Sequence, residues 1–245
     1  MLVLVQNGKE EKSWFSYGEL TMCDDANPVT LAYHRLELLP SKDPEKYTKN
    51  SWHGPHQGLR LVVPRDGDTS RYIDTAERLT LLRPRWHTPD GTPTMTVPGK
   101  GAPMPDQLIL AEGAKIIWQG APNSLDLPSR TVPNWRRVGH GRGIKSKTPE
   151  IAVGIGFVDL IKQLFPQMTR EDAIMVVAID GYRSLFSGRE ILEHTQGAEI
   201  LVQDKTQQKQ GWTIQVCGDF FVDRCIWGVS HIIRIPADEI ERLIQ

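Results

Sequence analysis

Gly58-Leu59-Arg60-Leu61-Val62-Val63-Pro64, with Asp66 behind it, reads as a strand running into a turn. A likeness of it returns near the other end of the chain as Gly211-Trp212-Thr213-Ile214-Gln215-Val216-Cys217, followed by Asp219. Carried forward from the two aspartates without a gap, the alignment sets Arg71 on Arg224, Ile73 on Ile226 and Leu79 on Ile232. Upstream, Val5-Gln6-Asn7-Gly8, Phe15-Ser16 and Glu19-Leu20 are answered by Ala178-Ile179-Asp180-Gly181, Phe186-Ser187 and Glu190-Ile191, with the same spacing from Phe-Ser to Glu. Each unit reads as a strand entering an Asn/Asp-Gly turn, a short helix capped by Ser, and a returning strand and hairpin. Gly, Asn and Asp suit such turns because they tolerate positive φ. The chain is therefore expected to carry a partial internal duplication.

Around these units the pattern is strand-rich. Leu2–Val5, Val29–Tyr33, Leu59–Pro64, Arg78–Leu82, Leu108–Trp118, Ile174–Ile179, Ile200–Gln203, Trp212–Cys217 and Val229–Ile235 alternate or run as short β-branched stretches. Helical periodicity is clearest at Gly156–Phe165, where Phe157, Leu160, Ile161 and Leu164 share a face and Pro166 ends the element. A second short helix is expected over Ser187–His194. A third follows Pro236, with Asp238 and Glu239 in its first turn, where acids interact favourably with the helix dipole. Many strands and few short helices make an α+β chain. From Arg83 to Gln107 the prolines crowd together (Pro84, Pro89, Pro93, Pro98, Pro103, Pro105), which removes backbone donors and favours an extended connection. The expected organisation is a β-rich partial repeat over 1–82, a Pro/Gly-rich linker over 83–107 and a fuller domain over 108–245.

Composition excludes several classes. The 245 residues carry 29 Lys+Arg against 30 Asp+Glu, a formal charge of −1, so no overall electrostatic footprint for nucleic acid exists. No apolar run approaches the roughly 20 residues that span a bilayer, and no membrane partner is expected. Residues 1–12 show no signal peptide, so a soluble, cytoplasmic protein is expected, or a periplasmic one if the N-terminus is trimmed. Three scattered cysteines make no disulfide framework.

In order, the residues of the second unit resemble the oxidoreductase molybdopterin-binding domain, the fold of sulfite oxidase and its bacterial relatives. Gly154-Ile-Gly-Phe-Val-Asp-Leu-Ile161 is similar to the family's helix opening. Ile174–Ile179 leads into Asp180-Gly181-Tyr182 as the family's Asp-Gly-Tyr turn does, and Gly211–Ile235 supplies the final strands. Gly58–Pro64 matches the family's Gly-…-Arg-Leu-Val-Val-Pro strand in the first unit, which corresponds only to the latter half of such a domain. The resemblance implies a mixed, barrel-like sheet and a molybdopterin cofactor. The family's molybdenum is ligated by a cysteine thiolate ahead of the helix opening, yet Leu127–Val153 contains no cysteine. The basic residue that follows the Arg of the closing strand is also replaced, by Asp74 and Trp227. Without the soft thiolate ligand, redox catalysis lacks its centre. The alternative is a binding module that keeps the fold without molybdenum.

The candidate site follows from charge. Between Asp126 and Glu150 no acid occurs, while Arg130, Arg136, Arg137, Arg142, Lys145 and Lys147 are basic and His140 lies between glycines. Glycine admits close backbone approach, and Arg presents paired donors to phosphate or carboxylate. Arg136, Arg137, His140, Arg142 and Lys145, with Asp180 and Tyr182 of the turn, are the residues expected to bind an anionic, pterin-type cofactor. A small anion or a protein partner is the expected ligand, and no metal site is expected. His53 and His56 are separated by Gly54-Pro55, which prevents a helical ligand pair. No nucleophile-elbow or triad spacing supports hydrolase chemistry.

Overall fold

The fold is that of a computed structural model, which describes residues 2–7, 12–16, 30–32, 35–39, 49–53, 59–62, 73–82, 103–113, 115–134, 150–193, 200–217 and 224–244. The first part comprises β1 (Leu2–Gln6), β2 (Lys12–Ser16), β3 (Thr30–Ala32), β4 (Arg35–Leu39), β5 (Lys49–His53), β6 (Leu59–Val62), β7 (Ile73–Ala76) and β8 (Arg78–Leu82). Next come β9 (Leu108–Glu112), β10 (Lys115–Gly120), β11 (Ser129–Asn134), β12 (Glu150–Gly156) and helix α1 (Phe157–Leu164). The chain continues through β13 (Ala173–Ala178), β14 (Arg183–Ser187), α2 (Gly188–Leu192), β15 (Ile200–Lys205), β16 (Gly211–Val216), β17 (Ile226–Trp227), β18 (Val229–Ile235) and α3 (Ala237–Ile244). The expected α+β character holds, with strands dominating. Among the described residues no helix is long and apolar enough to cross a membrane.

The strands form open sheets in the orders β2-β1-β8, β3-β6-β7, β4-β5, β10-β9-β18-β13-β14 and β11-β12-β15-β16-β17. Among the described residues no sheet closes, which corrects the barrel-like expectation. The edges are managed differently: β2 runs beside β14, α3 lies beside β8, and β10 carries a bulge between Ile116 and Trp118. A second correction concerns Leu108–Trp118. It is a hairpin and no single strand, because Gly113 adopts φ 54°, a left-handed conformation that costs glycine little.

The two stretches that the sequence alignment matched pair their strands in corresponding register. Leu2 faces Ser16 as Ala173 faces Ser187, and Val5 faces Leu79 as Val176 faces Ile232. Leu61 faces Ile73 as Ile214 faces Ile226, and Leu31 faces Leu61 as Val202 faces Ile214. The orders β2-β1-β8 and β14-β13-β18 correspond strand for strand, as do β3-β6-β7 and β15-β16-β17. Between β3 and β6 the first unit inserts the β4-β5 hairpin, where the second turns back through the short 3-10 turn Thr206–Gln208. The ladders shift one detail of the sequence alignment. Gln6 is the counterpart of Val177, so Asn7 falls on Ala178 and not on Asp180.

Two of the apolar clusters among the described residues hold the stack. The larger lies between the two five-stranded sheets, where Phe157, Leu160 and Ile161 of α1 meet Leu108, Leu110, Ile174, Val176, Phe186, Ile214 and Ile232. The helix buries the face that its sequence period assigned, and each such side chain contributes about 2 kcal/mol on leaving water. The smaller core lies on the other face of β13 and β18 and joins the two units. Leu4 and Trp14 from the first unit pack there with Met175 and Leu185, which occupy the matching ladder positions of the second. Ile240 of α3 completes it.

Candidate functional site

Asp180, Gly181 and Tyr182 form the connection between β13 and β14. Gly181 has φ 84°, Asp180 Oδ1 accepts the Tyr182 N–H at 2.9 Å, and Tyr182 O accepts the Ala178 N–H at 2.9 Å. The carboxylate thus shapes the turn, as Asp does when it bonds its own backbone two residues on. Tyr182 lies half-buried against the main core. Arg183 follows it at the start of β14, where burial pulls its guanidinium below the usual arginine value.

Arg136, Arg137, His140, Arg142, Lys145 and Lys147 lie outside the described residues. What the fold places is the root of their connection, the Asn134–Glu150 pair of the β11-β12 ladder. Ile155 and Gly156 face Val202 and Leu201, so β12 starts toward the Lys205 end of β15. Lys205 faces Gly211, the Gly228 N–H donates to Gln210 O, and the Ile179 N–H donates to Gly228 O. The root of the basic connection and the Asp180–Tyr182 turn therefore emerge from the same end of the stacked sheets, with β15 and β16 between their strands.

That end is tied together by polar contacts. Asp204 accepts from the Thr206 hydroxyl at 2.6 Å, the Thr206 N–H at 3.0 Å and Asn123 Nδ2 at 2.9 Å. These bonds, the Thr206 hydroxyl foremost, hold the Asp204 carboxyl below the ordinary carboxylate range. Met104 Sδ reaches over Gly228, and Trp212 Nε1 donates to Asp106 O.

One cation of the basic stretch is committed elsewhere. Arg130 donates to Asp159 in bidentate fashion, at 2.7 Å from Nε and 2.8 Å from Nη2, in the first turn of α1. Beside this pair lies a cavity of about 170 Å³, walled by Phe157, Val158, Lys162, Ile191, Leu192 and Ile200. Three further ionic arrangements were beyond what spacing could reveal. Arg224 is paired with Glu190 and lies 5.5 Å from the Phe186 ring centroid, Arg234 is held by Asp172, and Arg234 also pairs with Glu112. The repeat had singled out Arg224 and Glu190 as matched positions; only their contact was invisible.

Both described cysteines serve the interior. Cys225 Sγ accepts from the Val216 N–H and from Gln215 Nε2, each at 3.4 Å, and Cys217 packs with Val132, Ala152 and Leu201. Among the described residues no three His, Cys, Asp or Glu side chains gather as metal ligands. The chain matches no family model, no curated protein and no solved structure.

Proposed function

We propose that this chain is a binding protein on a sulfite-oxidase-like, partly duplicated molybdopterin-binding fold, and that it holds a small anionic, pterin-type ligand at the end shared by the basic connection and the Asp180–Tyr182 turn. The observation that carries the reading is that shared end: two segments far apart in sequence leave the sheets on one side. The correspondence of the two sets of ladders supports the duplication. Arg136, Arg137 and Arg142 supply paired donors for phosphate, and the unbroken basic run supplies the field that draws an anion in.

Among the described residues the donor chemistry does not favour a molybdenum centre, and Cys23 lies outside them. That metal calls for an accessible soft thiolate, and Cys217 and Cys225 keep their sulfurs within the core. No redox step is assigned, and ligand retention is the activity this reading favours.

Calorimetric titration of the full chain with inorganic pyrophosphate and with a pterin phosphate tests the proposal. Binding of both, abolished in Arg136→Ala/Arg137→Ala/Arg142→Ala with stability within about 0.5 kcal/mol of the parent, is expected. Absence of binding to the parent, or collapse of the triple variant, overturns it. Stoichiometric molybdenum in protein from a host that makes the cofactor would restore the redox reading.

A further inference from the structure

The cavity beside the Arg130–Asp159 pair has no part in the anion site proposed above. Gly156 faces Leu201 and Ile200 faces Val216, so the cavity lies at the opposite end of β12 and β15 from the Asn134–Glu150 root. Its walls are mainly apolar: Phe157 and Val158 from α1, Ile191 and Leu192 from α2, and Ile200 at the start of β15. A volume of about 170 Å³ gives it room for a small organic body. An apolar cavity of about 150 Å³ in a protein interior stays dry and takes up benzene.

Its charge is one-sided. Arg130 and Lys162 line the cavity, and no acid does among the described residues. The acids adjoining its walls in the chain are already engaged, Asp159 by Arg130 at 2.7 Å and Glu193 by Arg170 at 2.9 Å. Among the described residues no ion pair claims the Lys162 ammonium. Gly156 lets the Arg130–Asp159 pair close over the head of α1, since a Cβ there would collide with both partners. With Arg130 neutralised, Lys162 is the cation left to meet a ligand. Small-molecule sites combine apolar walls with a few polar groups that fix orientation, and here the one unclaimed cation suits a single negative charge. We infer that this cavity binds a small monocarboxylate, its apolar body of about six carbons held among Phe157, Val158, Ile191 and Ile200 and its carboxylate set at Lys162.

Calorimetric titration of the full chain with hexanoate, and with hexanol as the uncharged control, tests the inference. Hexanoate is expected to bind at one molecule per chain, about fivefold more tightly than hexanol, the upper range for an ion pair open to water. Lys162→Gln should bring the two affinities within about twofold while hexanol binding stays as in the parent, which reports an intact cavity. Val158→Trp should fill the space from its half-buried place on α1 and abolish binding of both probes, with an unchanged circular dichroism spectrum. If that variant does not fold, Leu192→Phe fills the same space from α2 and takes its place. Absence of hexanoate binding to the parent, equal affinity for the two probes, or undiminished binding in the filled variant each overturns the inference. None of these results touches the pyrophosphate site at the other end of the sheets.

Discussion

Arg224 donates its Nη1 hydrogen to Glu190 Oε1 where both side chains are almost wholly shielded from water, 4% and 0% exposed. Phe186 packs beneath the guanidinium, and Ser187 caps the turn of α2 that carries Glu190, its hydroxyl accepting the Glu190 N–H at 3.0 Å. One residue from each of two distant stretches thus locks the start of α2 to the approach of β17. The same residue types recur in the first unit as Phe15, Ser16, Glu19 and Arg71.

Breaking this pair should be costly. Arg224→Ala leaves the Glu190 carboxylate buried and uncompensated, and a loss of about 3–5 kcal/mol in denaturant unfolding is expected. Replacing both residues with apolar ones should cost less than Arg224→Ala alone. A larger loss in the double variant would show that the pair stabilises through something other than mutual compensation.

Gly188 opens α2 against the Thr169 carbonyl and the Arg170 backbone, and a Cβ there would collide with rigid main chain. Gly188→Ala is expected to lower the unfolding free energy by about 3 kcal/mol, the upper range for overpacking. Thermal melts would check it, and an unchanged midpoint would contradict the close approach.

Leu4 and Met175 share the core that joins the two units. Leu4→Ala and Met175→Ala should each cost about 2–5 kcal/mol, and the pair should couple non-additively because they pack in one core. Unfolding is expected to remain a single transition. Two separated transitions, with Leu4→Ala moving only one, would mean that the units do not share a core energetically.

Asp204 predicts a pH dependence. Its carboxyl is held low in the folded chain, chiefly by the Thr206 hydroxyl. A group of this kind stabilises the fold above its unfolded pKa, and the contribution disappears as pH falls through the folded pKa. Thr206→Val should raise the Asp204 pKa toward the ordinary range, as followed by NMR titration. It should also lower stability near neutrality and weaken its dependence on acidification. An Asp204 pKa that does not move would place the cause elsewhere.

The corresponding ladder registers of the two stretches were legible in sequence because register is a property of periodicity. Apolar alternation and turn residues constrain which positions can pair, so Leu79 and Ile232 could be matched before any ladder was seen. Even there the turn misled: Asn7-Gly8 and Asp180-Gly181 look alike chemically, yet the ladders set Asn7 on Ala178. Strands such as β11 and β12 are not marked by the sequence because Pro133, Gly154 and Gly156 obscure their alternation, and their partners supply the pairing that their own residues do not advertise.

From its residues alone this chain declares an α+β, turn-rich character, a periodic α1, two related β units and a basic stretch without acids. These follow from local preference and spacing, which a linear pattern records directly. Tertiary structure decided the rest: that Leu4 meets Met175, that Arg224 finds Glu190, that Arg130 is spent on Asp159, and that the Asn134–Glu150 root of the basic connection lies at the same end of the sheets as the Asp180–Tyr182 turn. Each of these depends on how sheets stack and which strand lies beside which, and contacts between residues far apart in the chain leave no periodic trace in either partner.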